Sequence, residues 1–208
     1  MQFTKKNTTF TPPKVRINMT LPIYIYGSEV LREQAAKLDY RNEELQKELK
    51  ELIPNMFETM EKSDGVGLAA PQIGKSIQLL VIDGSPLQED MPDLKGFRFA
   101  MINPEIIEES EETAEYSEGC LSIPDIHADV IRPARIKVRY IDENFKEVER
   151  EFDKFGCRIV QHEMDHLKGI LFTDKVSQIR KKLIAGKLNN IANGKVRTNY
   201  KIVRKPKK

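Results

Sequence analysis

Between residues 42 and 62 the apolar side chains Leu45, Leu49, Leu52, Ile53, Met56, Phe57 and Met60 return at helical spacing. Asn42 stands where a cap belongs, and Glu43 and Glu44 suit the positive end of a helix. Pro54 falls inside this stretch and removes an interior hydrogen bond, so a kink or a break is expected there. Ile77 to Asp83 reads as a strand, and residues 84–96, rich in Pro, Gly and acids, as a loop. Phe97 to Ile107 and Ile136 to Ile141 are β-like in their apolar and branched residues, and Val148 to Phe152 alternates apolar with charged. Helical spacing resumes near Lys154 and stops by Gly169. After it, Val176, Ile179, Leu183 and Ile184 recur helically until Gly186 and Gly194 weaken the pattern. Helix, strands, then helix predicts an α+β fold: mostly antiparallel strands packed around a central helix, with a C-terminal helix and tail.

The 208 residues suffice for one core. The sequence holds no apolar run that would span a bilayer and no charged-then-apolar leader, so no membrane partner is expected. Charge divides the chain. Residues 175–208 carry twelve Lys and Arg and no acid, leaving 22 basic against 32 acidic residues in 1–174, a net of −10. Residues 1–18 are polar, with Pro12-Pro13, four basic residues and no acid. Three regions follow: an extension over 1–18, a main domain over 19–174, and a basic helix and tail over 175–208. Met19 is an alternative start.

The chemistry concentrates in His162-Glu163-Met164-Asp165-His166. On a helix, residues i and i+4 share a face, so two of the chain's three histidines can reach one metal ion. Glu163 then stands beside a water activated by that ion, as general base or acid. Two imidazoles leave a catalytic site one ligand short. Downstream, residues 167–208 hold no His, no Cys and one carboxylate, Asp174, and Phe172 occupies the position where an extended zincin motif wants His. That disfavours a zincin-type endopeptidase. Upstream stand Cys120, Cys157 and His127. Cys157, five steps before His162, is turned by roughly 140° from the ligand face and reads as a small buried residue. Cys120, at the edge of a β-like run, can face the helix, and the His pair tips the balance toward it.

Gly65-Val66-Gly67-Leu68-Ala69-Ala70-Pro71-Gln72-Ile73-Gly74 is a second cluster. It lacks the Lys-Ser/Thr ending of a phosphate loop. It reads either as a tightly packed helix-to-strand turn or as a backbone edge for an extended peptide, with the Gln72 amide donating to a developing oxyanion.

Gly-Val-Gly-Leu-Ala-Ala-Pro-Gln, Glu-Gly-Cys-Leu-Ser and Gln-His-Glu-Met-Asp-His stand in that order. Together they resemble the peptide deformylase family, over roughly residues 21–174. The resemblance implies a metallohydrolase that removes the formyl group from formyl-Met nascent polypeptides in the bacterial cytoplasm. It implies metal ligation by Cys120, His162 and His166. Fe²⁺ is the usual native ion of that family, and Ni²⁺, Co²⁺ or Zn²⁺ can occupy the site. It assigns catalysis to Glu163, with the Gln72 side chain and the Leu121 backbone N–H as oxyanion donors. His127 falls where some members place an Arg, and it reads as a rim or structural residue. The chain is longer between Gln72 and Cys120 than the shortest members, and the 84–96 loop absorbs the difference.

For the methionine side chain the candidates are Val66, Tyr116, Phe155 and Ile159, with Gly67, Glu118 and Gly119 also facing substrate. Phe155 and Ile159 lie on the His162/His166 face of the helix, and the alternative is that they are simply core. The basic tail suits an RNA phosphate surface, and the deformylase resemblance implies the ribosome (rRNA) as its partner; the alternative is a solvated tail. Residues 1–18 leave an organellar setting open. A non-enzymatic RNA binder is disfavoured because every chemical role at the site is filled.

Overall fold

The computed structural model describes residues 19–204, so the expected extension over 1–18 lies outside the described residues. Asn42 caps the first long helix, α1 (Glu43–Lys62): its side-chain oxygen accepts the backbone N–H groups of Glu44 and Leu45 at 2.9 and 3.1 Å. Of the kink or break expected at Pro54, the break does not occur: α1 is continuous through it. One lost hydrogen bond is outweighed by burial of Leu49, Ile53, Met56 and Met60, each worth about 1.5–3 kcal/mol against roughly 3 for the proline.

A short strand β1 (Ile23–Tyr24) precedes α1, and β2 (Gly67–Ala69), β3 (Leu79–Asp83), β4 (Arg98–Glu109), β5 (Thr113–Cys120), β6 (Ile123–Pro133), β7 (Arg135–Ile141) and β8 (Glu147–Asp153) follow it. The chain then forms α2 (Lys154–Leu167), α3 (Phe172–Lys175), α4 (Gln178–Ala192) and β9 (Ile202–Val203). Strands β2-β3-β4-β7-β8 make one antiparallel sheet. The expected loop over 84–96 is two short 3-10 turns, Ser85–Leu87 and Pro92–Leu94.

Strand β3 is buried on both faces, which is why it reads as a continuous apolar run. Its odd residues, Leu79 and Val81, pack with Met56 and Met60 of α1. Its even residues, Leu80 and Ile82, pack with Val160, Met164 and Leu167 of α2. Every residue of α2 from Gly156 to Leu167 is buried, so this helix is the centre the strands surround. It ends at Leu167, and Gly169 beyond it, with φ of +70°, lets the Ile170 N–H return to the Asp165 carbonyl at 3.0 Å.

The hairpin β5–β6 gave little sequence signal. Among the described residues its strands pair only with each other, from Thr113 opposite Pro133 to Cys120 opposite Ile123. Together with α3 and α4 it builds a third cluster around Ile126, Val130, Phe172, Ile184 and Ile191.

The C-terminal region departs from expectation. Helix α4 runs through Gly186 without interruption, and its buried residues are Ile184 and Ile191. Ile179 and Leu183, expected on its apolar stripe, are 75% and 70% exposed. Beyond it β9 pairs in parallel with β1, so the region folds back on the body. Among the described residues no helix is long and apolar enough to cross a membrane.

Candidate metal centre

Strand β5 ends at Cys120, and α2 presents His162 and His166 beside it. The sulfur and the ring nitrogens of these three residues lie within 4.8 Å of one another. Cys120 Sγ is 3.3 Å from His166 Nε2. The imidazoles stand edge to face, 5.1 Å between centroids, and the His162 ring stacks on Phe172 of α3 at 6.0 Å. One soft thiolate with two neutral imidazoles fits a divalent transition metal and leaves a coordination position open.

Behind the ligands lies a buried ion network. Glu118 accepts the His162 Nδ1 proton at 2.8 Å, which leaves Nε2 as the ligating nitrogen. Its carboxylate also accepts from Arg132 Nε and Nη2 at 2.7 and 2.8 Å and from Arg158 Nη1 at 2.7 Å. Arg132 reaches Asp165 with its remaining nitrogen. Burial alone would push the Glu118 pKa up, but the hydrogen bonds from Arg132 and His162 hold it well below the ordinary carboxylate range. Glu118 was expected to touch substrate. With its oxygens already taken by two guanidiniums and a ring N–H, it is a support for His162.

Glu163 projects from α2 toward β2. It is 4% exposed, and Oε2 has no hydrogen-bond partner among the described residues. Burial pushes its carboxyl up to about 7. Gly67 is required beside it, because a Cβ there would come within 2.4 Å of Glu163 Oε1. In the turn Ala70–Ile73, Gln72 Oε1 accepts the Ala69 N–H at 2.7 Å. That directs Nε2 to Ser122 Oγ at 3.3 Å and Cys120 Sγ at 3.5 Å, at the mouth of the site. Leu121 lies in the turn after Cys120 and lines the same cleft, a cavity of about 430 Å³ that also contains Val66, Gly67, Gly119, His162 and Glu163.

A smaller cavity of about 150 Å³ opens beside it, lined by Val66, Glu118, Gly119, Phe155 and Ile159 and by His162 and Glu163. Tyr116 does not line this cavity. It meets the Phe155 ring edge-on at 5.6 Å, with the Arg158 guanidinium 5.1 Å above it. His127 is exposed on the cleft rim, its ring against Gly119. Cys157 is buried away from the ligands, its sulfur 3.7 Å from the Pro133 carbonyl and its thiol pushed up to about 11 by burial.

Arg132, Arg158, Asp165 and Ser122 were not singled out from sequence. Arg132 had a readable signal: on β6 it continues the buried period Ile126, Ala128, Val130, where a cation implies a buried acid.

A helix bearing two imidazoles and a carboxyl, completed by a thiolate from a neighbouring hairpin, defines a metal-dependent hydrolase. The family model for polypeptide deformylase matches residues 20–182. The chain is 46% identical over 191 residues to the peptide deformylase of Salinibacter ruber, covering 90% of this chain and 96% of that one. To that of Flavobacterium johnsoniae it is 45% identical over 193 residues, covering 88% and 95%. Its fold is similar to the crystal structure of the Plasmodium falciparum peptide deformylase, with a TM-score of 0.72 at 34% identity, covering 81% of this chain and 94% of that one. Arabidopsis thaliana peptide deformylase 1B, in complex with an inhibitor, gives 0.73 at 31%, covering 84% and 92%. The chain belongs to the polypeptide deformylase family.

Proposed function

We propose that this site hydrolyses the formyl amide of formyl-methionyl nascent polypeptides, with Glu163 carrying the proton. The observation behind this is a buried carboxyl oxygen, without a hydrogen-bond partner among the described residues, on the helix whose two imidazoles meet the Cys120 sulfur. Cys120, His162 and His166 would hold the ion, Fe²⁺ in its native state, with Ni²⁺, Co²⁺ or Zn²⁺ able to replace it; once bound, it supplies a Lewis acid. Glu163 takes a proton from the attacking water and returns it to the leaving amine, releasing formate and a free amino end. Gln72 Nε2 and the Leu121 N–H hold the oxyanion of the tetrahedral state, each worth about 3 kcal/mol of barrier. The 150 Å³ cavity beside Glu163 takes the methionine side chain, with Val66, Phe155 and Ile159 as its walls and Tyr116 bracing Phe155.

The test is formate release from a formyl-Met peptide by protein prepared without oxygen and loaded with Fe²⁺ or Ni²⁺, beside acetylated and unformylated peptides. Only the formylated peptide should turn over. Glu163→Gln should keep its metal and lose at least about a hundredfold in kcat. Near-parental turnover in that variant would remove Glu163 from the reaction.

The protein works in the bacterial cytoplasm, with the ribosome as second partner. The cations of α4 and the segment after it support this: Lys182 and Lys187 are exposed on a helix without a single acid.

A further inference from the structure

After α4 the chain turns at Gly194 (φ +69°) and comes back across the molecule. Ile202 and Val203 pair with Ile23 and Tyr24, and the Ile23 N–H donates to the Lys201 carbonyl at 2.8 Å. Between turn and strand, Arg197, Thr198, Asn199 and Tyr200 line the same cleft as Gln72, Cys120 and Glu163. This strap lies beyond residue 182, where the match to the family model ends.

Two hydrogen bonds fasten it to two segments of the rim. The Tyr200 hydroxyl donates to the Leu121 carbonyl at 2.8 Å, in the turn that follows Cys120. Asn199 Nδ2 donates to Asp64 Oδ2 at 3.1 Å, one residue before the Gly65–Gly67 stretch. Thr198 Oγ1 braces the strap internally, donating to the Tyr200 carbonyl at 2.7 Å. Arg197 is different: it is exposed on the cleft and makes no hydrogen bond or ion pair among the described residues.

We propose that the strap Arg197–Tyr200 is a wall of the peptide cleft, which positions the Leu121 turn through Tyr200 and presents Arg197 to acidic side chains downstream of the formyl-methionine. The proposal rests on the deformylase reading above. Tyr200 is a positioning residue: without its hydroxyl the turn carrying the Leu121 N–H loses one anchor, which slows the chemical step more than it weakens binding. Arg197 acts on binding, through an exposed charge of modest effect.

The experiment uses the full, metal-loaded chain with formyl-Met-Ala-Glu-Ser and formyl-Met-Ala-Lys-Ser. The parent should favour the Glu peptide in kcat/KM by about two- to fivefold, and Arg197→Glu should reverse that preference. Tyr200→Phe should lower kcat by about five- to tenfold on both peptides, with KM, melting temperature and metal content near parental values. Binding of the labelled, deformylated peptides, followed by fluorescence polarisation, reads Arg197 without turnover. Absence of formate from both peptides in the parent would defeat the deformylase reading, and the polarisation ratio would still decide the strap. A peptide preference unchanged by Arg197→Glu, or a parental kcat in Tyr200→Phe, overturns the proposal.

Discussion

Glu163 shows how a single side chain is tuned by its surroundings. Burial raises its carboxyl to about 7, with the positive charge of Arg132 pulling the other way. Only the ionised form can accept a proton, so kcat/KM should fall as pH drops through that pKa. A bound cation lowers the value, which places the acid limb at or below about pH 7. A pH–rate profile on the metal-loaded enzyme checks this, and a rate flat from about pH 5 to 8 would contradict it. His162, Glu163 and His166 were legible in sequence because a helix converts four-residue spacing into shared direction. Cys120 was legible only by elimination and resemblance, since a lone cysteine in a short strand carries no period. The support Glu118 gives His162 was not legible, because its partners Arg132 and Arg158 stand 14 and 40 residues away, a distance no local pattern spans.

At the scale of elements, α1 could be read from the spacing of its buried face, β3 from its continuous apolar run, and α2 from the four-residue spacing of its histidines. Hairpin β5–β6 could not, because its inward positions include Glu118 and Arg132, which look like solvent-facing residues until they are paired. That pair is also what fixes the hairpin to α2, through Asp165 and His162. Arg132→Met would leave Glu118 and Asp165 as poorly compensated buried charges. It should destabilise the protein by about 3–5 kcal/mol in denaturant unfolding. With His162 less firmly held, metal retention against a chelator should weaken by about ten- to a hundredfold. A stability loss under about 1 kcal/mol would mean that the network is not what joins hairpin and helix.

For the whole molecule, the α+β reading matches the arrangement of the sheet about α2, while the segment after residue 174, expected as a basic helix and tail, also contributes to the core. The composition, twelve cations and no acid, hid the fact that α4 buries Ile184 and Ile191 and that β9 is paired. Removing everything after Asp174 would therefore strip part of the third core cluster and could not isolate an electrostatic role. Charge reversal does: Lys182→Glu with Lys187→Glu alters exposed positions only. Co-sedimentation with ribosomes at low salt should fall in this double variant while peptide turnover stays parental. Equal sedimentation of variant and parent would reject the ribosome as partner of α4.

The parallel pair of Ile23 with Ile202 has a bearing on biogenesis. It joins two points separated by nearly the whole chain, so it is among the last contacts to close. Until Ile202 and Val203 have emerged from the ribosome, neither that pair nor the strap over the cleft can form. On the proposed reading each new copy is a substrate before it is an enzyme, and its own amino end is matured by an older copy.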